Sequence, residues 1–330
     1  MEQAIEKRLL DGEQVLILLN RRGYASALLC RSCGHTESCV NCSISLTYHQ
    51  YNQRLICHYC GYARSVPRQC RECGKEYIYF MGEGTEKVQE ILEQRFPKAR
   101  IARLDRDAVQ GKGSYERILG AFAARRTDIL VGTQMIAKGH DFAGVTLVGV
   151  LGADQSLRIA DFRAAERTFQ LLTQVAGRAG RGDTEGEVIL QTYYPNHYSL
   201  KYACAQDYDS FYRHEIRFRR RFRYPPFTAL ANLLVKGEER NQVADLAGEL
   251  AQALLARRNE NSHPSRMRIL GPAPAALERV KKDYRFQVLI KTTSRSELGK
   301  VLHATLEGLQ PKLKGQLKQI SIDIDPINLL

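Results

Sequence analysis

The 330-residue sequence has no apolar segment long enough to cross a membrane. A transmembrane helix needs about 20 consecutive apolar residues, whereas the longest apolar runs here, residues 15–19 and 230–235, have the length of strands. Residues 1–8 mix charges of both signs and contain no hydrophobic core, so they do not form a secretory signal. With 44% hydrophobic and 26% charged residues, the composition also excludes wholesale disorder.

Acidic residues are too few to balance the basic ones. Lys and Arg total 49 while Asp and Glu total 36, which gives a formal net charge of +13. An excess of positive charge favours binding to a polyanion, most simply a nucleic acid. At roughly 150 residues per domain, the length predicts about two domains with a smaller insertion.

Eight of the nine cysteines lie in four Cys-x2-Cys pairs, namely Cys30/Cys33, Cys39/Cys42, Cys57/Cys60 and Cys70/Cys73. Each pair can fold around one ion as a knuckle. A glycine follows three of the pairs and allows the tight backbone turn that aims N–H groups at thiolates. Two knuckles make one tetrahedral four-sulfur site, so four knuckles predict two zinc ions.

The spacing also predicts which knuckles meet. Fourteen residues separate Cys42 from Cys57, close to the ~15–20 found inside one ribbon-type site, so the inner pairs form one site and the outer pairs the other. Because every ligand is a thiolate, no coordination position stays open and both zinc ions are predicted to be structural. A disulfide framework is disfavoured by the length and intracellular character of the chain. Cys204 stands apart and is expected to be buried or half-buried.

Strand and helix patterns alternate along much of the remaining sequence. Strands are predicted at Gln14–Leu19 and at residues 77–81, 100–104, 129–131, 147–151 and 186–191. Helices are predicted near residues 5–10, at 115–124 and 164–175, and after Thr85 as an N-cap. This alternation predicts an α/β fold with a mainly parallel sheet, helices on both faces and the Cys-rich module inserted near the first strand.

A domain boundary is predicted at the Tyr-Pro-Pro-Phe segment, residues 224–227. Residues 228–235, 243–256, 288–290 and Ile320–Ile324 then predict strand, helix, strand and strand, typical of a small α+β domain. Residues 211–223 form an arginine-rich helix with interleaved aromatics. This pattern fits a DNA-binding ridge with stacking rings. It fits equally a helix with an aromatic face at a domain interface and a solvated basic face.

Two segments carry the chemistry. Residues 174–181 combine glycines, which permit close backbone approach, with Arg178 and Arg181, the residue type that neutralises charge on a γ-phosphate. The alternative is an ordinary helix C-terminus with solvated arginines, because Gly182 can end a helix. Residues 132–142 directly follow a strand, and their Gly-Thr start presents an N–H and a hydroxyl to a nucleic-acid phosphate.

Together with residues 82–86, these segments resemble motifs IV, V and VI of superfamily-two helicases. Over essentially the whole chain the sequence resembles, more narrowly, the PriA family of replication-restart helicases. The segments that carry this resemblance are the eight paired cysteines and residues 19–24, 82–86, 103–107, 132–142, 161–167, 174–181, 224–227, 271–274, 284–287 and 323–326.

The resemblance implies a role for each residue that matches a family motif. One group would face the nucleotide, with its two arginines as arginine-finger candidates: Gln174, Arg178 and Arg181. Another would lie on the single-stranded DNA track: Thr133, Gln134 and Lys138. Two residues would couple these segments to the nucleotide cleft: Gly84 and Asp141. The resemblance also implies two Zn²⁺ in a module on the second RecA-like lobe, one held by Cys30, Cys33, Cys70 and Cys73 and the other by Cys39, Cys42, Cys57 and Cys60.

The sequence departs from the family in one respect. It contains no G-x4-G-K-[ST] loop, since residues 111–113 lack the spacing and the Ser/Thr, and no Asp-Glu-x-His segment follows a strand. The family's N-terminal domain has no counterpart either. The resemblance therefore implies the C-terminal half of an ATP-dependent 3′-5′ DNA helicase for replication restart and primosome assembly. ATP and Mg²⁺ are expected to bind only with a first lobe from elsewhere, and the chain alone is expected to lack ATPase activity.

The expected division is residues 1–29 as the start of lobe 2, 30–76 as the zinc insertion, 77–210 as the rest of lobe 2, and 211–330 as a linker helix and α+β domain. Expected partners are forked and single-stranded DNA, primosome proteins, single-stranded-DNA-binding protein and the replicative helicase loader, with no membrane. A monomer in the bacterial cytoplasm, associated with the nucleoid, is expected. One rival hypothesis is a non-catalytic, zinc-containing DNA-binding primosome scaffold. Another is a cysteine-rich redox protein without zinc.

Overall fold

A computed structural model describes residues 1–20, 28–30, 32–40, 45–49, 53–57, 60–75, 78–79, 85–105, 108–109, 113–136, 142–159, 161–180, 185–260, 266–280, 282–309 and 319–329. Its helices are α1 (Glu2–Leu10), α2 (Thr85–Arg95), α3 (Ser114–Ala123), α4 (Ala164–Ala176), α5 (Tyr198–Cys204), α6 (Tyr208–Phe222), α7 (Arg240–Asn259) and α8 (Arg295–Leu309). Its strands are β1 (Gln14–Leu19), β2 (Leu28–Leu29), β3 (Thr47–His49), β4 (Arg54–Ile56), β5 (Ala63–Ser65), β6 (Ile78–Tyr79), β7 (Ile101–Leu104), β8 (Ile129–Gly132), β9 (Val145–Leu151), β10 (Glu187–Leu190), β11 (Ala229–Gly237), β12 (Met267–Val280), β13 (Asp283–Thr292) and β14 (Ile320–Ile324).

Five strands form a parallel sheet in the order β10-β9-β1-β8-β7. β1 lies in the middle, where Val15 is opposite Ile129 of β8 and Leu147 of β9. All six residues of β1 are buried. A parallel strand covered on both faces needs apolar residues on both, which is why this strand is a continuous apolar run in the sequence.

Alternate residues of β1 fill two separate cores. Leu16 and Leu18 belong to the core that includes Phe122 of α3 and Phe169 of α4. Ile17, together with Val15 and Leu19, belongs to the core built with α1 and α2. Full burial of a side chain of this size contributes about 1.5–3 kcal/mol. The sheet is therefore fixed from both sides, and the carboxyl ends of its strands meet at one edge.

The Cys-rich insertion leaves and re-enters the lobe through a short antiparallel ladder between β2 and β6. Inside it, β3, β4 and β5 form a three-stranded antiparallel sheet, and Ser38 and Ser45 make a separate bridge. These strands are only two or three residues long. Such short pieces bury little apolar surface, so the insertion needs an additional source of stability.

The last part of the chain is an antiparallel sheet in the order β12-β13-β11-β14. Helices α7 and α8 pack against it, and their apolar residues share one core with the strands. The parallel lobe, the Cys-rich insertion and this α+β unit confirm the predicted fold class. Within the described residues no helix combines the length and apolar character needed to span a membrane.

A further core joins the three parts. Tyr224, after α6, is fully buried and stacks on Phe162 of the parallel lobe, with ring centroids 4.6 Å apart. Lys291 of β13 places its Nζ 3.5 Å from the centre of the same ring. Leu46 and Leu55 of the insertion belong to this core as well. The aromatic side of the arginine-rich helix therefore lies at a domain interface.

Two local predictions are wrong. Cys204 is exposed rather than buried, because it ends α5 on the solvent side. Thr85 does not cap α2 from outside; it is the first residue of the helix, and its hydroxyl donates a hydrogen bond to Asp105. The sequence analysis also missed β12, which contains Gly271 at φ +98° and a register shift between Leu270 and Ala273. Gly and Pro inside a strand hide it from pattern reasoning.

Candidate functional site

The three Cys-x2-Cys pairs that are followed by a glycine fold in the same way. The glycine after each pair has a positive φ of 72–75°, and its N–H donates to the carbonyl of the first cysteine at 2.8–3.0 Å. The N–H of that first cysteine donates in turn to the carbonyl five residues later, at 2.6–2.9 Å. Residues with these contacts are Cys30 and Gly34, Cys57 and Gly61, and Cys70 and Gly74. The repeated turn is the knuckle expected from the glycines.

The knuckles bring sulfur atoms together in two groups. The Sγ atoms of Cys30, Cys33, Cys70 and Cys73 all lie within 4.8 Å of one another. The nearest pairs are Cys30 to Cys73 at 3.4 Å and Cys33 to Cys70 at 3.6 Å. The first Cys-x2-Cys pair along the chain therefore meets the last one. Four convergent sulfurs with this spacing fit the tetrahedral ligand set of a zinc ion.

The second group contains Cys39, Cys57 and Cys60, also within 4.8 Å of one another. The Sγ atoms of Cys39 and Cys60 lie 3.6 Å apart. The fourth expected ligand, Cys42, lies outside the described residues. The grouping of the described sulfurs is nested in the way the spacing predicts.

The thiols of the first group do not ionise equally. Burial, together with hydrogen bonds to the neighbouring sulfurs, raises the pKa of Cys33 to about 12, although the N–H of His35 acts in the opposite direction. Burial also opposes ionisation of Cys70, but the N–H groups of Cys73 and Glu72 outweigh it and lower that pKa to about 7. Thiolates crowded together repel one another, so a full set of four needs a cation among them.

Polar side chains gather at the carboxyl edge of the parallel sheet around Asn20, which directly follows β1 and is fully buried. Its Nδ2 donates to Ser156 Oγ at 2.7 Å and to the Ala153 carbonyl at 3.2 Å. Its Oδ1 accepts a hydrogen bond from Gln134 Nε2 at 3.3 Å. Asn20 thereby connects the segment after β8, which contains the half-buried Thr133, to the turn after β9.

Asn20 was given no role in the sequence analysis. Its partners lie more than 110 positions away along the chain, so only the sheet order brings them together. A polar residue directly after a fully apolar strand is the one sequence signal that could have found it.

The end of α4 carries the described part of the second predicted segment. Gln174 is exposed and lines a groove of about 530 Å³ between α4 and α6. Arg178 is half-buried just beyond the helix end. The turn is held against the sheet, because Gly180 N–H donates to the Val145 carbonyl at 3.1 Å. A Cβ on Gly186 would lie 2.3 Å from the backbone of this turn, so the close packing requires glycine there.

Several predicted site residues have no described position. Those that lie outside the described residues are Gly84, Lys138, Asp141, Arg181 and Cys42. The structure thus places Thr133 and Gln134 at the sheet edge, Gln174 and Arg178 at the end of α4, and seven of the cysteines in the two sulfur groups.

Three family models match the chain in sequence order. They are the PriA DNA helicase Cys-rich region (CRR) domain at residues 39–64, the Helicase conserved C-terminal domain at 64–183 and the Primosomal protein N C-terminal domain at 220–327. Curated relatives include the replication restart protein PriA of Bacillus subtilis (strain 168), 45% identical over 99% of this chain. Those of Haemophilus influenzae and Rickettsia typhi are 40% and 38% identical over 99% and 98% of it. The chain is similar to PriA proteins over almost its whole length.

The chain spans 40%, 44% and 48% of the lengths of these three PriA proteins. The Cys-rich model covers the inner cysteine pairs, and this match identifies the insertion as a zinc-binding region. The helicase model covers both predicted DNA and nucleotide segments, residues 132–142 and 174–181.

Proposed function

We propose that the chain is the C-terminal portion of an ATP-dependent 3′-5′ DNA helicase that acts in replication restart and primosome assembly at stalled forks. The observation that carries this proposal is the order of three PriA-related units on one chain, with the helicase unit ending in the Gln174–Arg178 turn of α4. The similar protein of Bacillus subtilis is a replication restart protein.

In this proposal the second lobe supplies arginine side chains for the γ-phosphate and contacts for the DNA backbone. It does not itself bind the ATP and Mg²⁺. Arg178 and Arg181 neutralise charge that develops on the γ-phosphate, and Gln174 orients the same region. Thr133, Gln134 and Lys138 contact the DNA backbone. ATP and Mg²⁺ are held by a first lobe, because this sequence contains no G-x4-G-K-[ST] loop.

In this proposal Asn20 links the DNA-contacting segment after β8 to the turn after β9. Its hydrogen bonds fix Gln134 relative to the turn at Ser156. Gly84 and Asp141 are proposed to couple the DNA segment to the nucleotide cleft.

We also propose two zinc ions, each held by four thiolates. Cys30, Cys33, Cys70 and Cys73 would hold one ion, and Cys39, Cys57 and Cys60 with Cys42 would hold the other. With no open coordination position, zinc supplies only structural cross-links.

The proposed division of the chain is residues 1–29, 30–76, 77–210 and 211–330, in the order lobe 2, insertion, lobe 2 and linker with α+β domain. Its proposed partners are forked and single-stranded DNA, primosome proteins, single-stranded-DNA-binding protein and the replicative helicase loader. The protein is proposed to act as a monomer in the bacterial cytoplasm, at the nucleoid.

A second candidate is a non-catalytic primosome scaffold that binds DNA. The shared core around Tyr224 favours it, because this core packs the insertion, the lobe and the C-terminal unit against one another. A scaffold of this kind would bind forks unchanged when Arg178 is removed.

The deciding experiment measures DNA-stimulated ATPase activity of the pure chain, of a PriA first lobe, and of their mixture. We expect activity only in the mixture, and we expect Arg178→Ala to abolish it while the exposed Arg117→Ala in α3 does not. Turnover by the pure chain would refute its dependence on the first lobe. Fork binding without any turnover in the mixture would favour the scaffold.

A further inference from the structure

Four arginines lie on one face of α6. Arg213, Arg217, Arg220 and Arg221 follow the i, i+4, i+7, i+8 spacing that places side chains on one side of a helix. All four residues are exposed, whereas the other side of the helix is buried, for example at Phe211. We call these four residues the arginine face.

The positive charge of the arginine face is only slightly balanced within the described residues, where the carboxylate of Asp207, the N-cap of α6, interacts electrostatically with Arg213. Arg219, on the buried side, is paired with Glu215 and Glu166. No carboxylate of the described residues lies within 4.0 Å of the guanidinium groups on the arginine face. Neighbouring like charges at i, i+4 destabilise a helix, so this arrangement is unfavourable unless an anion occupies it.

The helix dipole does not explain all of these arginines. Cations in the last turn of a helix are stabilised by the dipole, which accounts for Arg220 and Arg221. Arg220 also lies 4.9 Å from the Phe227 ring centre. Arg213 and Arg217 lie in the middle of the helix, where the dipole contributes nothing.

The arginine face is held on a rigid support. Phe211 stacks on Phe169 of α4 with ring centroids 4.1 Å apart, and Arg219 hydrogen-bonds Glu215 at 2.8 Å. Just beyond the helix, the buried Tyr224 fixes its C-terminal end in the core. The four guanidinium groups are therefore presented from a fixed position, and a ligand would not need to order the backbone.

We propose that the arginine face of α6 binds the phosphodiester backbone of DNA, as a contact separate from the track at Thr133 and Gln134. The inference rests on the proposed function, which supplies DNA as the polyanion. Guanidinium groups bind phosphate oxygens in pairs of hydrogen bonds. The four arginines span about 12 Å of helix.

The test measures binding of the full chain to fluorescein-labelled oligo-dT and to a duplex, by anisotropy at increasing salt. In the variant Arg213→Gln/Arg217→Gln/Arg221→Gln, each lost phosphate contact removes about 0.7 from the salt slope on single strands, so we expect a decrease of about 2. Affinity at 0.1 M salt should fall about a hundredfold, because a slope change of about 2 acts over the decade between 0.1 M and 1 M. The matched control, Arg117→Gln/Arg126→Gln/Arg268→Gln, removes three exposed arginines elsewhere and should keep the wild-type slope.

Each outcome separates the two proposals. A wild-type chain that binds no DNA refutes the DNA-binding part of the proposed function as well as this one. A chain that binds DNA with the same slope in both variants overturns the arginine face alone. Loss of binding to polyglutamate but not to DNA would assign the surface to an acidic protein and likewise overturn the proposal. If the triple variant melts early, the single change Arg217→Gln decides, because it should still lower the slope by about 0.7, and Arg217→Lys should restore it.

Discussion

The parallel lobe and the Cys-rich insertion hold their functional groups in different ways. In the lobe, Asn20 is fixed by the buried strand before it and by three hydrogen bonds. In the insertion, strands of two or three residues carry thiols whose pKa values diverge, about 7 for Cys70 and about 12 for Cys33. The lobe is ordered by its own core, whereas the insertion depends on a ligand to bring its thiols into one ionisation state.

The two regions nevertheless touch. A Cβ on Gly34, in the first knuckle, would lie 2.0 Å from the carbonyl oxygen of Tyr193, which follows β10 of the lobe. Ser45 of the insertion donates a hydrogen bond to the Leu157 carbonyl at 3.2 Å. The Cys-rich insertion is therefore packed directly on the parallel lobe.

The largest effect is expected from zinc removal. Structural zinc contributes about 10–16 kcal/mol in small metal-folded domains, so chelation should unfold the insertion while the parallel sheet persists. Limited proteolysis should then cut within residues 30–76 and spare β7 to β9. Zinc content should fall from two ions per chain to one in Cys73→Ser and stay at two in Cys204→Ser. Two ions remaining in Cys73→Ser would contradict the first ligand set.

Alanine substitutions at two glycines of the insertion test how much its packing on the parallel lobe contributes to stability. Gly34 and Gly74 have the same φ, +75° and +72°, but only Gly34 meets another segment. The left-handed backbone costs about 1–2 kcal/mol for alanine at either position. Gly34→Ala adds a clash with the backbone at Tyr193, so we expect a total of at least about 3 kcal/mol. Urea unfolding of zinc-loaded protein measures both, and equal losses would mean that the contact contributes nothing.

Within the lobe, Asn20→Ala should be more costly than Gln134→Ala. The first change leaves Ser156 and the Ala153 carbonyl without their buried partner, at about 2–3 kcal/mol. The second removes one half-exposed hydrogen bond, at about 1 kcal/mol or less. Urea unfolding gives both values. Zinc content should be unchanged in each variant, and zinc loss in Asn20→Ala would contradict the independence of the lobe from the insertion.

Features that depend on the spacing of neighbouring residues could be predicted from the sequence, whereas features that depend on distant segments could not. β1 was predicted at its observed bounds, because five consecutive apolar residues follow Gln14 and end at a polar cluster. The four cysteine pairs were recognised from their Cys-x2-Cys spacing, which is also a local feature of the sequence. In contrast, the role of Asn20 depends on partners brought by β8 and β9, and α5, α8 and β12 went unnoticed. Gly271 and Pro272 interrupt the pattern of β12, and sheet pairing with β13 overrides that local signal.

A pH-dependent effect is expected at His197, which caps α5 at the cavity where lobe and insertion meet. Burial, and then the nearby His214, lower its pKa to about 4. The unfolded chain binds a proton near pH 6.5 while the folded chain stays neutral. Stability from this group is therefore complete above about pH 6.5 and is lost as the pH falls towards 4, with about 2 kcal/mol lost by pH 5. Urea midpoints at pH 7 and pH 5 measure the loss, and His197→Asn, which keeps a capping group, should remove it. The exposed His303→Asn should leave it intact, and a loss that survives in His197→Asn would place the titrating group elsewhere.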